Sequence, residues 1–303
     1  MNIKKNVISF INMKGGVGKT TLCKEMGIYL SEKKFKKILI VDIDPQSNCT
    51  QSLFERYNVM KFAESEKEEE QEQEEPIIKT KDVNLPSVEK IFSKSKGKLR
   101  PAEKKEVIYE LNENIHIIPG DLDTVFMERE VGNGQAEQRL LNFIKLNKLN
   151  EDYDYIFIDC PPTYSFYTIS ASLSSNFYIV PVKPDAYSLL GLDLLERVMN
   201  DLKYSYLSNF ESKPIKNLGV IFTMTNQSVG ILKNINDIKE AFKNKEIYFF
   251  ENMFPKSEKI STRELSRSIC DRKAKLLDSL ELICDEFERR VKAENEEGAC
   301  NSK

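Results

Sequence analysis

A glycine-rich stretch near the start of the chain constrains the fold more than any other part of the sequence. It lies between an apolar run at residues 7–11, which predicts a buried strand, and a helical pattern at residues 20–30. Glycines at a strand-to-helix turn let successive N–H groups point inward, and the helix N-terminus adds the positive end of its dipole. The stretch therefore predicts a phosphate-binding site. Its residues are Lys14, Gly15, Gly16, Val17, Gly18, Lys19, Thr20 and Thr21.

Three side chains in this stretch carry chemistry. Lys19 is placed to reach the β- and γ-phosphates of a nucleotide, and the hydroxyl of Thr20 is a ligand for Mg²⁺. Lys14 is a second lysine, which an ordinary phosphate-binding loop does not need. Taken by itself, Lys14 also fits a solvated surface charge.

Carboxylates follow two further apolar runs. The run at residues 38–41 leads to Asp42 and Asp44, and the run at residues 155–158 leads to Asp159. Carboxylates at the carboxyl ends of parallel strands lie at the sheet edge where ligands bind. Each also fits a simple strand-to-loop turn, but all three share a chain with a phosphate-binding loop, which favours a functional role.

These segments together resemble those of a known family. Lys-Gly-Gly-Val-Gly-Lys-Thr at residues 14–20 resembles the deviant Walker A motif of the ParA/MinD family of ATPases. Asp-Ile-Asp-Pro-Gln at residues 42–46 resembles its switch I, and Asp-Cys-Pro-Pro at residues 159–162 resembles its Walker B and switch II. The resemblance extends over most of the chain, outside an acidic insertion and the C-terminal tail.

The resemblance implies ATP and Mg²⁺ as ligands, with slow, partner-stimulated ATP hydrolysis in a sandwich homodimer. Lys14 would then act on the partner's nucleotide, and Lys14, Lys19 and Asp44 would be the catalytic residues. Asp44 would order the attacking water and the outer shell of Mg²⁺, with Thr20 and Asp159 as the other metal residues. Asp42 would support the loop that carries Asp44.

The resemblance also implies a pocket for adenine. Residues 218–226 form a predicted strand whose carboxyl end would face the base, which makes Met224 and Asn226 candidate contacts. Pro255 would lie on the second wall of the pocket. Ordinary strand-to-loop turns explain each of these residues nearly as well.

The alternation of strand and helix patterns independently predicts an α/β fold, a doubly wound and mainly parallel sheet flanked by helices, as in P-loop NTPases. We expect one domain at residues 1–292, interrupted by a flexible acidic insertion at about 62–108, and an acidic tail at 293–303. Residues 64–75 carry eight glutamates and one lysine, a composition typical of a solvated segment. A role in docking a basic partner or mimicking DNA is the alternative. Within the insertion, residues 87–92 predict a short helix with Ser87 as its cap.

Composition argues against several other classes. No apolar run approaches the roughly 20 residues that span a bilayer, and no signal peptide precedes the first strand, so a cytoplasmic protein is expected. The six cysteines include no Cys-x-x-Cys pair, which favours reduced thiols over disulfides or a cluster site. The only histidine, His116, lies in an apolar run and is predicted to pack in a strand.

The leading functional prediction is a nucleoid-associated partition ATPase of the ParA type, for plasmid or chromosomal DNA. Its ATP-bound dimer would bind DNA non-specifically, and a ParB-like centromere-binding protein would stimulate hydrolysis and release it. One alternative is a positioning ATPase with a protein or membrane cargo. Another is a metabolic or kinase-like enzyme, which would not need Lys14. The final helix, predicted at about 272–292, has acids on its predicted outer face, so we expect no membrane binding. These acids are Glu281, Asp285, Glu286 and Glu288.

The candidate DNA contacts rest on a modest surplus of basic residues between positions 233 and 275. Such a mixture also fits ordinary solvated helix faces. Asn200 stands where DNA-binding members of the family have an arginine, and Lys203, one turn further on, is a possible substitute. The candidates are Lys203, Lys256, Lys259, Arg263 and Arg267.

Overall fold

An eight-stranded sheet forms the centre of the molecule, in the strand order β3-β4-β2-β5-β1-β6-β7-β8. The computed structural model describes residues 4–59, 85–92, 102–121, 136–256, 268–271 and 275–300. The neighbouring strands are parallel except for β3 and β4, which are antiparallel. The strands are β1 (Val7–Phe10), β2 (Ile38–Asp42), β3 (Tyr109–Glu110), β4 (Ile115–Ile118), β5 (Tyr155–Asp159), β6 (Phe177–Val182), β7 (Lys216–Thr225) and β8 (Phe254–Pro255).

Helices cover both faces of this sheet. Successive residues of a strand point to opposite faces, and the described core accordingly divides into two apolar clusters, with Val7 in one and Ile8 in the other. The predicted doubly wound α/β architecture is confirmed. The described helices are α1 (Lys19–Lys33), α2 (Asn48–Arg56), α3 (Glu89–Phe92), α4 (Lys104–Val107), α5 (Arg139–Leu146), α6 (Leu149–Asp152), α7 (Phe166–Ser174), α8 (Ser188–Ser205), α9 (Leu207–Ser212), α10 (Val229–Ala241) and α11 (Lys275–Cys300), with a 3₁₀ turn at Ile269–Asp271.

Part of the predicted acidic insertion belongs to the folded core. Ile91 and Phe92 of α3 and Val107 of α4 are buried in one apolar cluster. The predicted limits of about 62–108 are therefore wrong for residues 85–92 and 102–108, because apolar side chains at short helical spacing pack on the sheet despite their polar neighbours. The predicted cap is confirmed, since Ser87 Oγ accepts a hydrogen bond from Glu89 N at 3.1 Å. Residues 64–75 lie outside the described part of the chain.

The C-terminal helix is longer than predicted. α11 continues to Cys300, so the prediction of a separate acidic tail is wrong for residues 293–300. Asn295 explains part of the difference, because its side chain accepts a hydrogen bond from Lys5 N at 3.3 Å and donates one to Lys5 O at 3.1 Å. Within the described residues, none of the helices combines the length and apolar character needed to cross a bilayer.

Glu286 on α11 lies inside the protein and not on the predicted outer face. Its carboxylate is buried and accepts hydrogen bonds from Glu251 N at 2.8 Å and Asn252 N at 3.2 Å, and from the side chains of Asn252 and Tyr248. Such buried carboxylates are stable when donors satisfy them. Glu286 therefore fixes the segment that leads into β8.

His116 packs as predicted. It is buried in β4, and its Nδ1 lies 2.8 Å from the hydroxyl of Tyr153. Burial is the main cause that lowers its pKa. The histidine is a packed core residue in this fold.

Candidate nucleotide site

The glycine-rich loop joins β1 to α1 at the carboxyl end of the central strand. Gly16 and Gly18 have φ angles of 67° and 85°, a left-handed region that favours glycine. Gly18 directly precedes the first helical residue, Lys19, and its carbonyl accepts a hydrogen bond from Leu22 N at 2.9 Å. The loop therefore presents its backbone at the N-terminus of a 15-residue helix, an arrangement suited to bind phosphate.

Two buried polar residues that the sequence analysis missed hold this loop. Asn12 Nδ2 donates to Pro181 O of β6 at 2.8 Å, and Asn12 Oδ1 accepts from Lys14 N at 2.9 Å. From β7, Thr223 Oγ1 donates to Val17 O at 2.6 Å. Asn12 is bonded to a strand 169 residues away and Thr223 to a loop residue 206 residues away, so no local pattern marks either of them.

Lys19 is turned into the site. It is only 6% exposed, and its ammonium donates to Lys14 O at 3.2 Å. Burial lowers the pKa of Lys19, against the opposing effect of negative charge at Asp159 and Asp44. A phosphate group at the loop would supply the counter-charge that this buried ammonium lacks.

The carboxylates of Asp42 and Asp159 lie on adjacent strands at matching positions, since the two residues pair in the register of β2 and β5. Both are fully buried. Burial raises the pKa of Asp42 to about 7, although hydrogen bonds from Thr50 act in the opposite direction. Burial and the neighbouring Asp42 raise the pKa of Asp159 well above its usual range.

The surroundings of Asp159 fit a magnesium ion. No hydrogen bond of ordinary geometry reaches its two buried carboxylate oxygens within the described residues, and the nearby Thr20 hydroxyl only partly offsets their burial, which is costly unless a ligand satisfies them. Thr20, at the start of α1, lies near this carboxylate. Mg²⁺ is typically bound by one or two protein oxygens together with waters and phosphate oxygens. The Asp159 carboxylate and the Thr20 hydroxyl are the residues of this chain that would hold it.

Asp42 holds the loop that carries Asp44. Its Oδ2 accepts hydrogen bonds from Thr50 N at 2.8 Å and Thr50 Oγ1 at 2.7 Å, and its Oδ1 accepts from Asp44 N at 3.3 Å. Thr50 Oγ1 also accepts from Gly120 N at 2.8 Å. A Cβ atom on Gly120 would lie only 2.8 Å from Ser47 Oγ and 3.1 Å from the Asp42 carboxylate, so any larger residue here would force these side chains to shift. Three segments therefore meet tightly behind Asp44, which is itself buried.

Lys14 is held by a residue of its own chain. Its ammonium lies 2.6 Å from both carboxylate oxygens of Asp185, in the turn between β6 and α8, and 5.7 Å from the ring centre of Tyr187. Tyr187 and Leu190 beside this pair are each 70% exposed. Lys14 therefore lies next to an exposed apolar surface at the start of α8.

The three residues predicted to contact the base, Met224, Asn226 and Pro255, lie in different surroundings. Met224, with a φ of 53°, lies against the loop, since a Cβ on Gly18 would be 3.9 Å from its terminal methyl. Pro255 of β8 pairs with Thr225 at the end of β7. Asn226 is exposed, and its side chain accepts from Ser228 N at 2.9 Å. Asn226 thus stabilises the local turn before α10, as the alternative interpretation of this residue proposed.

Two of the five predicted DNA contacts lie among the described residues. Lys203 is exposed near the end of α8, and Lys256 is exposed directly after β8. Lys259, Arg263 and Arg267 lie outside the described residues.

Comparison with known proteins shows which family this chain belongs to. A family model described as an AAA domain, AAA_31, matches residues 5–212. The chain is similar to an uncharacterised protein of Methanocaldococcus jannaschii, with 30% identity over 78% of this chain and 81% of that protein. It is also similar to the sporulation initiation inhibitor protein Soj of Bacillus subtilis, with 28% identity over 84% of this chain and 86% of Soj. The chain belongs to the ParA/MinD family of P-loop ATPases. The family predicted from the three motifs is therefore confirmed.

Solved structures share the fold of this ParA/MinD-family chain. A plasmid partition protein of Borrelia burgdorferi bound to AMPPNP has a TM-score of 0.69 at 20% identity, covering 95% of this chain and 100% of that one. Cobyrinic acid a,c-diamide synthase of Mycobacterium smegmatis, solved with an ATP analogue and magnesium, has a TM-score of 0.67 at 20% identity, covering 95% of this chain and 96% of that one. A complex of ATP with a variant of McdA from Cyanothece gives 0.68 at 21% identity, covering 96% of each chain.

Proposed function

We propose that this ATPase is a partition protein that forms a dimer on binding ATP and then holds DNA without sequence preference. A ParB-like protein bound to the transported DNA stimulates hydrolysis and so releases the dimer. The observation that carries this proposal is the different placement of two lysines in one loop. Lys19 is buried against the carboxylates of the site, whereas Lys14 lies at the surface, beside exposed apolar side chains.

The exposed side chains around Lys14 support self-association. Tyr187 and Leu190 offer apolar area that a second copy would bury, and burial of apolar area is the main driving force of association. A lysine at the edge of such a contact is placed to reach a phosphate bound to the other copy. A kinase-like enzyme with a small-molecule substrate has no use for this arrangement.

Each residue of the site has a proposed role in hydrolysis. The loop amides and Lys19 bind the β- and γ-phosphates of ATP, and Thr20 and Asp159 hold Mg²⁺. Bound Mg²⁺ neutralises charge on these phosphates. Asp44 orients the attacking water, and Asp42 keeps Asp44 in place through the loop that both belong to. Met224 and Pro255 flank the base.

The named relatives support these ligands and this process. Soj and the partition protein of Borrelia burgdorferi are similar to this chain in sequence and fold, respectively, and the latter was solved with AMPPNP. The synthase with an ATP analogue and magnesium, and the McdA complex with ATP, have the same fold. Nucleotide-dependent ordering of the loops after Asp44 and Asp159 would then switch the dimer on and off.

The charge of α8 favours a second candidate, a positioning ATPase with a protein cargo. Arg197 on its exposed face is paired with Asp193 at 2.9 Å, and Lys245 is paired with Glu196. Asp201 accepts a hydrogen bond from Tyr164 at 3.1 Å. Lysines and arginines that bind DNA release counterions by contacting phosphates, and the cations named here are already paired. Only Lys203 on this helix remains as a candidate contact.

One experiment separates the two candidates. We would measure the binding of random-sequence duplex DNA by the wild type and by Asp44→Ala, with ATP–Mg²⁺ or ADP–Mg²⁺, at low and moderate salt. The partition proposal expects binding that requires ATP, weakens steeply with salt and is stronger for the variant, which cannot complete hydrolysis. ATP-driven dimerisation with no DNA binding under any condition would contradict it and favour a protein cargo.

A further inference from the structure

A hydrogen bond from β7 fixes one peptide of the phosphate loop. Thr223 is fully buried, and its hydroxyl donates to the carbonyl oxygen of Val17 at 2.6 Å. The Val17 side chain is also buried. The contact joins residues that are 206 positions apart and lies directly beneath the turn that leads into α1.

The orientation of this carbonyl determines the orientation of the next amide. In a planar trans peptide, the C=O of one residue and the N–H of the next point in opposite directions. Thr223 therefore directs the N–H of Gly18 away from β7. Gly18 has a φ of 85° and no side chain to restrict its flanking peptides, so an external anchor has a large effect here.

Thr223 itself is held in a fixed position by the sheet. Thr223 lies in a strand that pairs with β6 on one side, and the residue pairs with Phe254 of β8 on the other. The same side chain also packs closely under the loop, since a Cβ on Gly18 would lie 3.8 Å from the Cβ of Thr223. The hydroxyl thus has a fixed position from which to hold the loop.

We propose that Thr223 is a positioning residue for the phosphate loop. It holds the peptide between Val17 and Gly18 so that the Gly18 amide is ready to bind a phosphate oxygen. The ligand group that benefits is the di- or triphosphate and not the base. This inference rests on the proposed nucleotide-binding function, because it assigns Thr223 to the same site.

The test compares ADP–Mg²⁺ with inorganic tripolyphosphate, each measured by displacement of a fluorescent ADP. Thr223→Val keeps the shape and strand preference of the side chain but removes the hydroxyl. We expect Thr223→Val to lower the affinity for both ligands by the same factor of about ten. The buried carbonyl of Val17 loses its hydrogen-bond partner in this variant, while the contacts to the base remain. Thr223→Ser restores the hydroxyl and should restore both affinities.

Thr225→Val is the matched control on the same strand. Its hydroxyl donates to Phe254 O at 3.4 Å and not to the loop, so we expect wild-type affinity for tripolyphosphate. Thermal denaturation of all variants separates effects on folding from effects on the loop. If Thr223→Val does not fold, Thr223→Ser decides, because it must retain wild-type affinity.

If the wild type binds ADP, three results would each contradict the role of Thr223 without contradicting nucleotide binding. The first is a folded Thr223→Val with unchanged affinities, and the second is a Thr223→Val that loses affinity for ADP but not for tripolyphosphate. The third is a tenfold loss of affinity in Thr223→Ser. A wild type that binds neither nucleotide nor tripolyphosphate would instead overturn the proposed function, and this inference with it.

Discussion

The ammonium of Lys14 and the carboxylate of Asp185 form an ion pair within one chain, with both oxygens 2.6 Å from Nζ. Asp185 also accepts hydrogen bonds from Tyr187 N and Ser188 Oγ, so its position is fixed independently of Lys14. A Lys14 that contacts a nucleotide in a second copy has to leave this pair. The pair therefore opposes the dimer that we propose.

Removing the negative charge of Asp185 should favour the dimer. The two side chains are 30% and 28% exposed, and pairs of this kind contribute up to about 1 kcal/mol, or about fivefold in an equilibrium constant. We expect Asp185→Asn to lower the dimer dissociation constant with ATP–Mg²⁺ by about two- to fivefold, measured by sedimentation velocity. Asp193→Asn, which removes a pair with Arg197 on α8, is the control and should leave the constant unchanged. An unchanged constant for Asp185→Asn would contradict the opposing role of the pair.

Substitution of each of the two loop lysines should impair a different property of the protein. Lys19→Ala removes the buried ammonium of the site, so we expect nucleotide affinity to fall by about 100-fold or more. Lys14→Ala should retain most of the monomer's nucleotide affinity but lose ATP-dependent dimerisation and hydrolysis. Equilibrium binding of fluorescent ADP and light scattering with ATP distinguish the two defects. Full dimerisation and turnover by Lys14→Ala would rule out its action on a second copy.

The stability of the nucleotide-free protein should fall as the pH rises. The pKa of Asp159 is raised well above its ordinary value by burial and by Asp42, whose own pKa is raised to about 7. An acid whose pKa is higher in the folded state contributes stability that is complete at pH below its unfolded pKa and is lost as the pH rises through its folded pKa. We therefore expect the melting temperature to decrease between pH 6 and pH 8.

Asp159→Asn tests this pH dependence, because its amide does not ionise. The variant should show a smaller decrease in melting temperature over the same range. ADP–Mg²⁺ should stabilise the wild type more at pH 8 than at pH 6, since bound Mg²⁺ favours the ionised carboxylate. A variant with the same pH slope as the wild type would exclude Asp159 as its source.

Gly120 should not tolerate even a methyl group. A Cβ there would lie 2.8 Å from Ser47 Oγ and 3.1 Å from the carboxylate of Asp42. We expect Gly120→Ala to destabilise the protein by about 1–3 kcal/mol and to slow ATP hydrolysis, because it displaces the loop that carries Asp44. Gly191→Ala on α8 is the matched control, since no atom lies within 4 Å of its added Cβ, and it should be neutral or stabilising. Urea unfolding and steady-state turnover measure both effects, and wild-type values for Gly120→Ala would contradict the expectation.

The parts of the site that sequence reasoning recovered are those with a local pattern. Lys19 and Thr20 follow glycines at a strand-to-helix turn, and Asp42 and Asp159 end apolar runs, so spacing alone indicated their place. Asn12, Thr223 and Asp185 carry no such pattern. Asp185 and Thr223 meet the loop, and Asn12 meets β6, only when strands distant in sequence become neighbours in the sheet.

The errors in the predicted fold have a similar physical cause. Ile91 and Phe92 lie near a strongly acidic segment, and composition averaged over that region hides two apolar residues that pack in the core. Glu286 falls on the polar side of a helical pattern, but its environment is determined by the donors of residues 248–252. Periodicity predicts which face of a helix is apolar, whereas it does not show which polar groups a neighbouring segment will satisfy.

The strand order also determines when the nucleotide site is completed during synthesis. The supports of the loop come late in the chain: Pro181 is 169 residues after Asn12, and Thr223 is 206 residues after Val17. A ribosome-bound chain that has not yet reached β7 contains the whole glycine-rich motif but lacks its second support. Because a contact with Thr223 cannot form before β7 has been synthesised, and contacts between distant residues form slowly, we expect the complete nucleotide site to arise late in synthesis.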